Sequence, residues 1–236
     1  MIIDCISDLH GHYPQLEGGD LLIVAGDLTA REFSTDYLEF FVWIAKQKHK
    51  KKIVIAGNHD LWVEREGEIF SSIIDFDYLC DSGTQFEYYD ERFPEEDGKF
   101  LPSGRRTLKI WGSPWTKRFE GMNPKCMAFT VDTDEELAEK WAMIPDDVDV
   151  LVTHCPPYGY YDSVNYVTKW GSRQEHTGSK SLREHCMGRV KPSLHVFGHI
   201  HEWGGRMMDS TITKFVNASH VNEYYEPVNK PVRVEL

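Results

Sequence analysis

Short apolar segments that end in polar residues recur along the first quarter of the chain. The segments Ile2–Ile6, Leu21–Ala25 and 53–56 are continuous apolar runs, as is typical of strands buried on both faces of a sheet. Each run is followed at once by serine or glycine and then by aspartate or asparagine. Because open α/β sheets bind ligands at the carboxyl ends of their strands, this pattern predicts a functional site at that edge.

Apolar residues with helical spacing predict two helices. The first has a predicted N-cap at Ser34, Thr35 or Asp36 and a predicted apolar face of Leu38, Phe41, Val42 and Ala45. Lysines follow at positions 46–52, either as cations that favour the helix C-terminus or as a nucleic-acid patch. The second helix is predicted to begin near Thr133, to pack through Leu137, Trp141 and Ile144, and to end at Pro145.

The remaining chain predicts more strands and one long loop. Further strands are predicted at residues 149–153, Leu194–Phe197, 211–216 and Val232–Glu235. The acidic stretch 88–104 contains prolines, shows no sustained period and is predicted to be an exposed loop. Strands that alternate with helices indicate an α/β fold. No repeat or linker divides the chain, so a single domain over residues 1–236 is predicted.

Composition narrows the class of protein. The 236 residues carry a formal charge of -12, which disfavours a nucleic acid polymer as the main partner because an acidic chain repels a phosphate backbone. The apolar runs are much shorter than the roughly 20 residues of a membrane span, and Met1 leads directly into the first strand without a signal sequence. The five cysteines are odd in number and lack C-x-x-C spacing, which indicates reduced thiols and a cytoplasmic location.

Acidic, amide and imidazole side chains cluster at the predicted strand ends. They are Asp8, His10, Asp27, Asn58, His59, Asp60, His154, His199 and His201. Mixed imidazole and carboxylate ligands suit Mn, Fe, Zn, Ni or Co rather than calcium or a lone magnesium. Two such ions about 3.5–4 Å apart can clamp a phosphoryl group for in-line displacement. Glycines precede Asp27, Asn58 and His199, and are predicted to allow a close approach of ligand and backbone.

The order of these motifs resembles the calcineurin-like metallophosphoesterase superfamily. The motifs are D-x-H at Asp8, G-D at Asp27, G-N-H-D at Asn58, a strand-end histidine at His154 and G-H-x-H at His199. Segments 112–116, 152–157 and 194–202 further resemble its metallophosphoesterase-domain-containing branch, which is class III phosphodiesterase-like. Some members of that branch have glycine at the first histidine of G-H-x-H, whereas this chain keeps His199 and is expected to have a complete site. The resemblance implies a four-layer α/β/β/α sandwich with two mixed β-sheets.

The resemblance also implies a role for each residue. It implies a first metal held by Asp8, His10 and His201, a second metal held by Asn58, His154 and His199, and a bridge between them at Asp27. Manganese is expected first, with iron, zinc, nickel or cobalt as alternatives, and the implied nucleophile is a metal-bridging hydroxide. His59 is expected to protonate the leaving oxygen, or alternatively to bind phosphate only. Asp60 is expected to orient His59 or a ligand.

The function predicted from this resemblance is hydrolysis of small or nucleotide phosphodiesters, cyclic nucleotides included. The alternatives are a phosphomonoesterase, a protein phosphatase or a nuclease on the same fold, and a nucleotide-binding protein with weak turnover. His12 and Ser179 are candidate substrate-binding residues, although His12 also suits an exposed turn and Ser179 also suits a helix cap. The physiological substrate, the native metal and the oligomeric state are left open.

Overall fold

A computed structural model describes residues 1–31, 33–73, 75–89, 104–119, 122–168 and 171–236. The strands within these ranges, numbered in chain order, are β1 Ile2–Ile6, β2 Leu21–Ala25, β3 Lys51–Ile55, β4 Asp77–Tyr78, β5 Ser82–Tyr89, β6 Arg105–Ser113, β7 Thr116–Lys117, β8 Thr130–Val131, β9 Val150–Thr153, β10 Ser163–Thr168, β11 Gly171–His176, β12 Leu194–Phe197, β13 Arg206–Asp209, β14 Lys214–Asn217 and β15 Val232–Glu235. The α-helices are α1 Ser34–Ala45, α2 Leu61–Arg65, α3 Gly67–Ser71, α4 Asp134–Ala142 and α5 Lys180–His185.

Two large mixed sheets form the centre of the fold. The first has the spatial order β15-β1-β2-β3-β4, in which only β15 pairs antiparallel. The second has the order β13-β14-β12-β9-β6-β5, with antiparallel pairs at both edges and parallel pairs inside. Two small sheets pair β10 with β11 and β7 with β8.

Three buried apolar clusters separate the layers. One lies between the two sheets and joins Ile3 and Ile23 of the first sheet to Val152 and Val196 of the second. Another packs helices α1 to α3 on the outer face of the first sheet. The last packs α4 and α5 on the outer face of the second sheet, around the fully buried Trp141. The layer order is α/β/β/α, so the predicted fold class is confirmed.

Helix α1 forms where it is predicted but buries a different face. The buried residues are Tyr37, Phe40, Trp43 and Ile44. The predicted face is wrong, since Leu38 and Val42 are 60% and 54% exposed. Because the helix sequence is apolar on several sides, helical spacing alone fits more than one face.

The predicted N-cap is wrong for helix α1, whereas the predicted start of helix α4 is right. Helix α1 has Phe33 as its N-cap and no side-chain hydrogen bond there, so the predicted cap at residues 34–36 is wrong because these residues lie inside the helix. Helix α4 begins as predicted: Thr133 and Glu136 form a reciprocal capping box. In the basic segment 46–52, Lys50 pairs with Asp20 and Lys51 pairs with Asp77, each at 2.6 Å.

The predicted loop at 88–104 lies mainly outside the described residues. Its first two residues, Tyr88 and Tyr89, belong to β5. The predicted start of the loop at residue 88 is therefore wrong. The late strand predicted at 211–216 is β14 at Lys214–Asn217, because Ser210 and Thr213 close a turn in front of it. Each helix in the described ranges is too short or too polar to cross a bilayer.

Candidate metal centre and substrate cavity

The predicted site residues follow the carboxyl ends of five parallel strands. Asp8 and His10 follow β1, Asp27 follows β2, and residues 58–60 follow β3 of the first sheet. In the second sheet His154 follows β9, and residues 199 and 201 follow β12. Hydrogen bonds join the loops of the two sheets, as where the Ser219 hydroxyl donates to Asp8 Oδ2 at 2.6 Å. Side chains that are far apart in sequence therefore meet at one edge.

Asp8, His10, Asp27 and His201 form the most compact group. Ligand atoms of all four lie within 4.8 Å of one another. His201 Nε2 is 3.2 Å from Asp8 Oδ1, and His10 Nε2 is 3.7 Å from Asp27 Oδ2. The buried His10 Nε2 has no hydrogen-bond partner among the described residues. A buried ring nitrogen that faces carboxylates without a hydrogen bond has the geometry of a cation ligand.

A second group of side chains also contacts the Asp27 carboxylate. His154 Nε2 is 3.4 Å from Asp27 Oδ2 and 3.1 Å from Asn58 Oδ1. The His199 ring packs on the His154 ring with their centres 5.0 Å apart. The Asn58 amide nitrogen donates to the Cys126 carbonyl at 3.1 Å, which directs Asn58 Oδ1 towards His154. Asp27 Oδ2 is thus within 4 Å of ring nitrogens from both groups, those of His10 and His154.

Four of these residues have left-handed backbone conformations. The φ angles are 51° at Asp8, 43° at His10, 53° at Asp27 and 68° at His199. Aspartate and histidine tolerate this region better than most residues, yet such strain usually marks a functional site. Hydrogen bonds stabilise it: His199 N donates to Asp8 Oδ2 at 3.0 Å, and His59 N donates to Asp27 Oδ1 at 2.9 Å.

The glycines allow the close approach that is predicted for them. A Cβ at Gly57 would lie 2.3 Å from Asp27 Oδ1, and a Cβ at Gly198 would lie 2.1 Å from Asp8 Oδ2. Real Cβ atoms do not approach oxygen this closely, so any side chain here would displace a carboxylate. The carboxylates therefore touch the neighbouring strand-end loops.

Burial and charge set distinct protonation states within the site. Burial raises the pKa of Asp8, but the hydrogen bond from His201 and the charges of His201 and His154 together outweigh it and hold that pKa well below its usual range. Burial lowers the pKa of His10 to about 3, so this ring is neutral and keeps a lone pair for a metal. Burial lowers the pKa of His154 too, but the Asp27 and Asp8 carboxylates and the Ala25 carbonyl together outweigh it and raise that pKa to about 9. A cation beside Asp27 would compete with that proton.

Asp60 binds the backbone of two neighbouring loops. The fully buried carboxylate accepts hydrogen bonds from the backbone nitrogens of Gly57 at 2.7 Å, Asp27 at 2.9 Å and Leu28 at 3.1 Å. The Tyr37 hydroxyl also donates to it at 3.0 Å. Asp60 therefore joins the loops after β2 and β3, and its bond with Asp27 N lies next to a ligand candidate. Its expected role in orienting His59 or a ligand stays a prediction.

A cavity of about 1100 Å³ opens over the metal-ligand candidates. Asp27, Asn58, His59, His199 and His201 line one end, and residues of the β10–β11 hairpin line the other. The His59 side chain is 21% exposed, and its Nε2 is 4.0 Å from Asp27 Oδ2. His59 thus lies beside the Asp27 carboxylate and lines the cavity.

The two candidate substrate residues have different surroundings. Ser179 lines the cavity, but its hydroxyl donates to Asp134 Oδ1 at 2.6 Å and accepts from Leu182 N and Trp141 Nε1 at 3.0 Å each. These bonds use its hydrogen-bonding capacity and favour the capping alternative. His12 is not among the described residues that line the cavity. Substrate binding by either residue stays a prediction.

Sequence reasoning missed Ser219 and Tyr225. Ser219 lies just past β14 and binds Asp8, and Tyr225 lines the cavity against three site histidines. Neither residue belongs to a motif quoted above. One sequence signal could have pointed to Ser219, namely the predicted strand in front of it. A polar residue that follows a parallel strand lies at the sheet edge where the other site residues meet.

Comparisons with known proteins identify the family. The profile of the calcineurin-like phosphoesterase family matches residues 1–203. The chain is 36% identical over 241 residues to metallophosphoesterase domain-containing protein 1 of Homo sapiens, across 98% of this chain and 70% of the human protein. This chain belongs to the calcineurin-like phosphoesterase family, so the predicted membership is confirmed.

Two solved structures share the fold. Phosphopantetheinyl hydrolase from Mycobacterium tuberculosis matches with a TM-score of 0.58 and 18% identity, over 98% of this chain and 95% of that one. The protein TT1561 of Thermus thermophilus matches with a TM-score of 0.53 and 13% identity, over 94% of this chain and 89% of that one. At such low identities the likeness shows the fold alone.

Proposed function

We propose that the protein is a phosphodiesterase that uses two divalent cations and hydrolyses small or nucleotide phosphodiesters. Family membership supports a metal-dependent phosphoester hydrolase. The observation that carries the two-cation proposal is Asp27 Oδ2, 3.7 Å from His10 Nε2 and 3.4 Å from His154 Nε2. The preference for diesters comes from the likeness to the metallophosphoesterase-domain-containing branch.

The donor chemistry suits this cofactor. Asp8, His10 and His201 would hold one cation, Asn58, His154 and His199 would hold the other, and Asp27 would contact both. When bound, two such cations polarise the phosphoryl oxygens and lower the pKa of water, which favours attack on phosphorus. Imidazoles together with carboxylates suit manganese, iron, zinc, nickel or cobalt, and of these we propose manganese first.

His59 is proposed to transfer a proton to the leaving oxygen. Its backbone is fixed by the bond from His59 N to Asp27 Oδ1, while its ring faces the cavity. A ring in this position reaches an ester oxygen on a phosphate bound beside Asp27. Asp60 supports the step indirectly, because it holds the backbone of both loops.

The charge of the chain agrees with a small substrate. Although the chain carries a formal charge of -12, two divalent cations would outweigh the negative charges of Asp8 and Asp27. The centre would then attract a phosphate without a basic surface. A long polyanion would still meet the acidic chain around it, so a nucleic acid polymer is disfavoured. A cytoplasmic location stays a prediction.

A matrix of metals and substrates tests the proposal. Purified protein is assayed with Mn²⁺, Ni²⁺, Co²⁺, Zn²⁺ or Mg²⁺ against bis-p-nitrophenyl phosphate, p-nitrophenyl phosphate, a cyclic nucleotide, an RNA oligomer and a phosphopeptide. We expect metal-dependent turnover, fastest for the diester or the cyclic nucleotide and faster with Mn²⁺ than with Mg²⁺. Preferred hydrolysis of a monoester, RNA or phosphopeptide would contradict the substrate class. An absence of turnover with every metal would favour the nucleotide-binding alternative.

A further inference from the structure

Tyr225 lies against three histidines of the site. Its ring centre is 4.8 Å from that of His10, 5.2 Å from that of His201 and 6.3 Å from that of His59. All three pairs are edge-to-face, with angles between ring planes of 75°, 89° and 63°. Tyr225 is 49% exposed and lines the cavity, so part of its surface remains open to a ligand.

The loop that carries Tyr225 is held in place by its own hydrogen bonds. Asn222 Oδ1 accepts from the backbone nitrogens of Tyr224 at 3.0 Å and Glu226 at 2.9 Å, and Tyr225 N donates to the Asn222 carbonyl at 2.9 Å. Tyr225 has a left-handed φ of 61°, a conformation that a tyrosine seldom adopts. The strained backbone directs this ring, rather than that of its neighbour, towards the site.

Tyr225 lies outside the motifs that gave the other site residues their roles. The family profile ends at residue 203, and none of the motifs above reaches position 225. His10 and His201 belong to one proposed cation group, and His59 is the proposed proton donor. The open part of the Tyr225 ring therefore lines the cavity beside both of these groups.

We propose that Tyr225 forms a subsite for an aromatic ester substituent, such as an aryl or nucleoside group. The inference rests on the proposed function, because it takes the phosphoryl group to bind beside Asp27. Aromatic rings offer a large apolar surface and pair favourably with other rings in edge-to-face or offset geometry. Tyr225 therefore selects for the organic part of the substrate and does not bind its phosphate.

Binding of two phosphonates tests the subsite. Dissociation constants of phenylphosphonate and methylphosphonate are measured by calorimetry on the Mn²⁺-loaded wild-type protein and on Tyr225→Ala, Tyr225→Leu and Tyr225→Phe. We expect Tyr225→Ala and Tyr225→Leu to weaken phenylphosphonate binding by about threefold to tenfold and to leave methylphosphonate binding unchanged. Tyr225→Phe keeps the ring and should bind both like the wild type. Manganese content is measured for each variant.

The adjacent Tyr224 provides a matched control. It is 74% exposed and does not line the cavity, so Tyr224→Ala should leave both dissociation constants unchanged. Equal weakening of both ligands by Tyr225→Ala, or no weakening of either, would overturn the subsite. So would the absence of phenylphosphonate binding to the wild type.

Hydrolysis of bis-p-nitrophenyl phosphate by the same samples separates this inference from the proposed function. Selective phenylphosphonate binding without turnover would contradict the function and leave the subsite standing. Turnover with a phenyl-to-methyl preference that Tyr225→Ala does not change would contradict the subsite alone.

Discussion

Gly198 lets the backbone after β12 lie against the Asp8 carboxylate. Asp8 Oδ2 receives hydrogen bonds from His199 N at 3.0 Å and from the Ser219 hydroxyl at 2.6 Å. The contact fixes Asp8 from two loops of the second sheet, while its own backbone belongs to the first. Because Gly198 has no side chain, the loop after β12 can approach Asp8 closely enough for both to belong to the proposed first cation group.

We expect Gly198→Ala to reduce metal binding. The added Cβ would lie 2.1 Å from Asp8 Oδ2 and from Ser7 Oγ, so Asp8 must move from His201 and Asp27. Gly67→Ala is the matched control, because no atom lies within 4 Å of the Cβ it would add. Isothermal titration with Mn²⁺ checks the expectation, and equal affinities in both variants would contradict it.

His59→Ala should slow hydrolysis most for esters with poor leaving groups. If His59 protonates the leaving oxygen, its loss costs about a hundredfold in kcat for alkyl esters and much less for p-nitrophenyl esters, whose leaving groups need no proton. Rates across a series of leaving groups with increasing pKa measure the difference. Equal losses across the series would leave His59 with phosphate binding only.

The sequence predicts the residues of this site better than their contacts. Asp8, Asp27 and His154 are readable because each follows an apolar run that forms a buried parallel strand. The bonds of Asp60 to three backbone nitrogens depend on how two loops meet, which spacing does not define. Tyr225 lies in a loop outside every motif, so no sequence pattern separates it from the exposed Tyr224.

At the scale of secondary-structure elements, the capping box of α4 connects the helix start to the cavity wall. Thr133 Oγ1 accepts from Glu136 N at 3.1 Å, and Glu136 Oε2 accepts from Thr133 N at 2.9 Å. The next residue, Asp134, binds the Ser179 hydroxyl at 2.6 Å and lines the cavity. The start of α4 is therefore fixed relative to α5 and to one wall of the cavity.

Thr133→Ala should lower the free energy of unfolding by about 1 kcal/mol, because it leaves a helix N–H without its partner. Thr35→Ala, in the segment where the cap of α1 is wrongly predicted, should change stability by less than about 0.5 kcal/mol. Urea unfolding followed by circular dichroism measures both. A larger loss in Thr35→Ala than in Thr133→Ala would contradict the assigned caps.

Strands differ in how well their sequences predict them. Strands β1, β2, β12 and β15 have the predicted bounds. In β1, β2 and β12 the mainly apolar segments coincide with the buried ones, whereas in β15 apolar and charged residues alternate and only Val234 is buried. β3 begins earlier, at Lys51, since its lysines pair with β2 although they are polar. The described side chains of the hairpin β10–β11 are mostly exposed and polar, so no hydrophobic pattern indicates it.

At the scale of the whole molecule, an ion pair between the buried Asp4 and the partly exposed Arg233 joins the first and last strands. Asp4 on β1 accepts hydrogen bonds from Arg233 on β15, at 2.8 Å to Nε and 2.9 Å to Nη2. His49 Nε2 lies 2.9 Å from the same carboxylate. Burial raises the pKa of Asp4, but the bonds to His49 and Arg233 outweigh it and lower the pKa below its usual value. The single domain over residues 1–236 stays a prediction.

Asp4→Asn should destabilise the protein by about 1–2 kcal/mol at pH 7, because it removes the charged partner of the buried His49 and one of the two carboxylates that pair with Arg233. The folded pKa of Asp4 is lowered, so its contribution is fully present above the unfolded pKa of about 3.9 and is lost as the pH falls through the folded pKa. The difference from the wild type should therefore shrink below about pH 4. Urea unfolding at several pH values checks this, and a constant difference down to acid pH would contradict it.

The most direct test of the central claim is the number of metal ions bound per chain. Wild-type protein, Asp27→Asn and Asp147→Asn are loaded with Mn²⁺, freed of excess metal and analysed by mass spectrometry. Asp147 is exposed and pairs only with Lys109 among the described contacts, so its variant serves as the control. We predict two ions in the wild type and in Asp147→Asn, and a loss of both in Asp27→Asn because the shared carboxylate is weakened. One ion or none in the wild type, or two ions retained in Asp27→Asn, would contradict a centre bridged by Asp27.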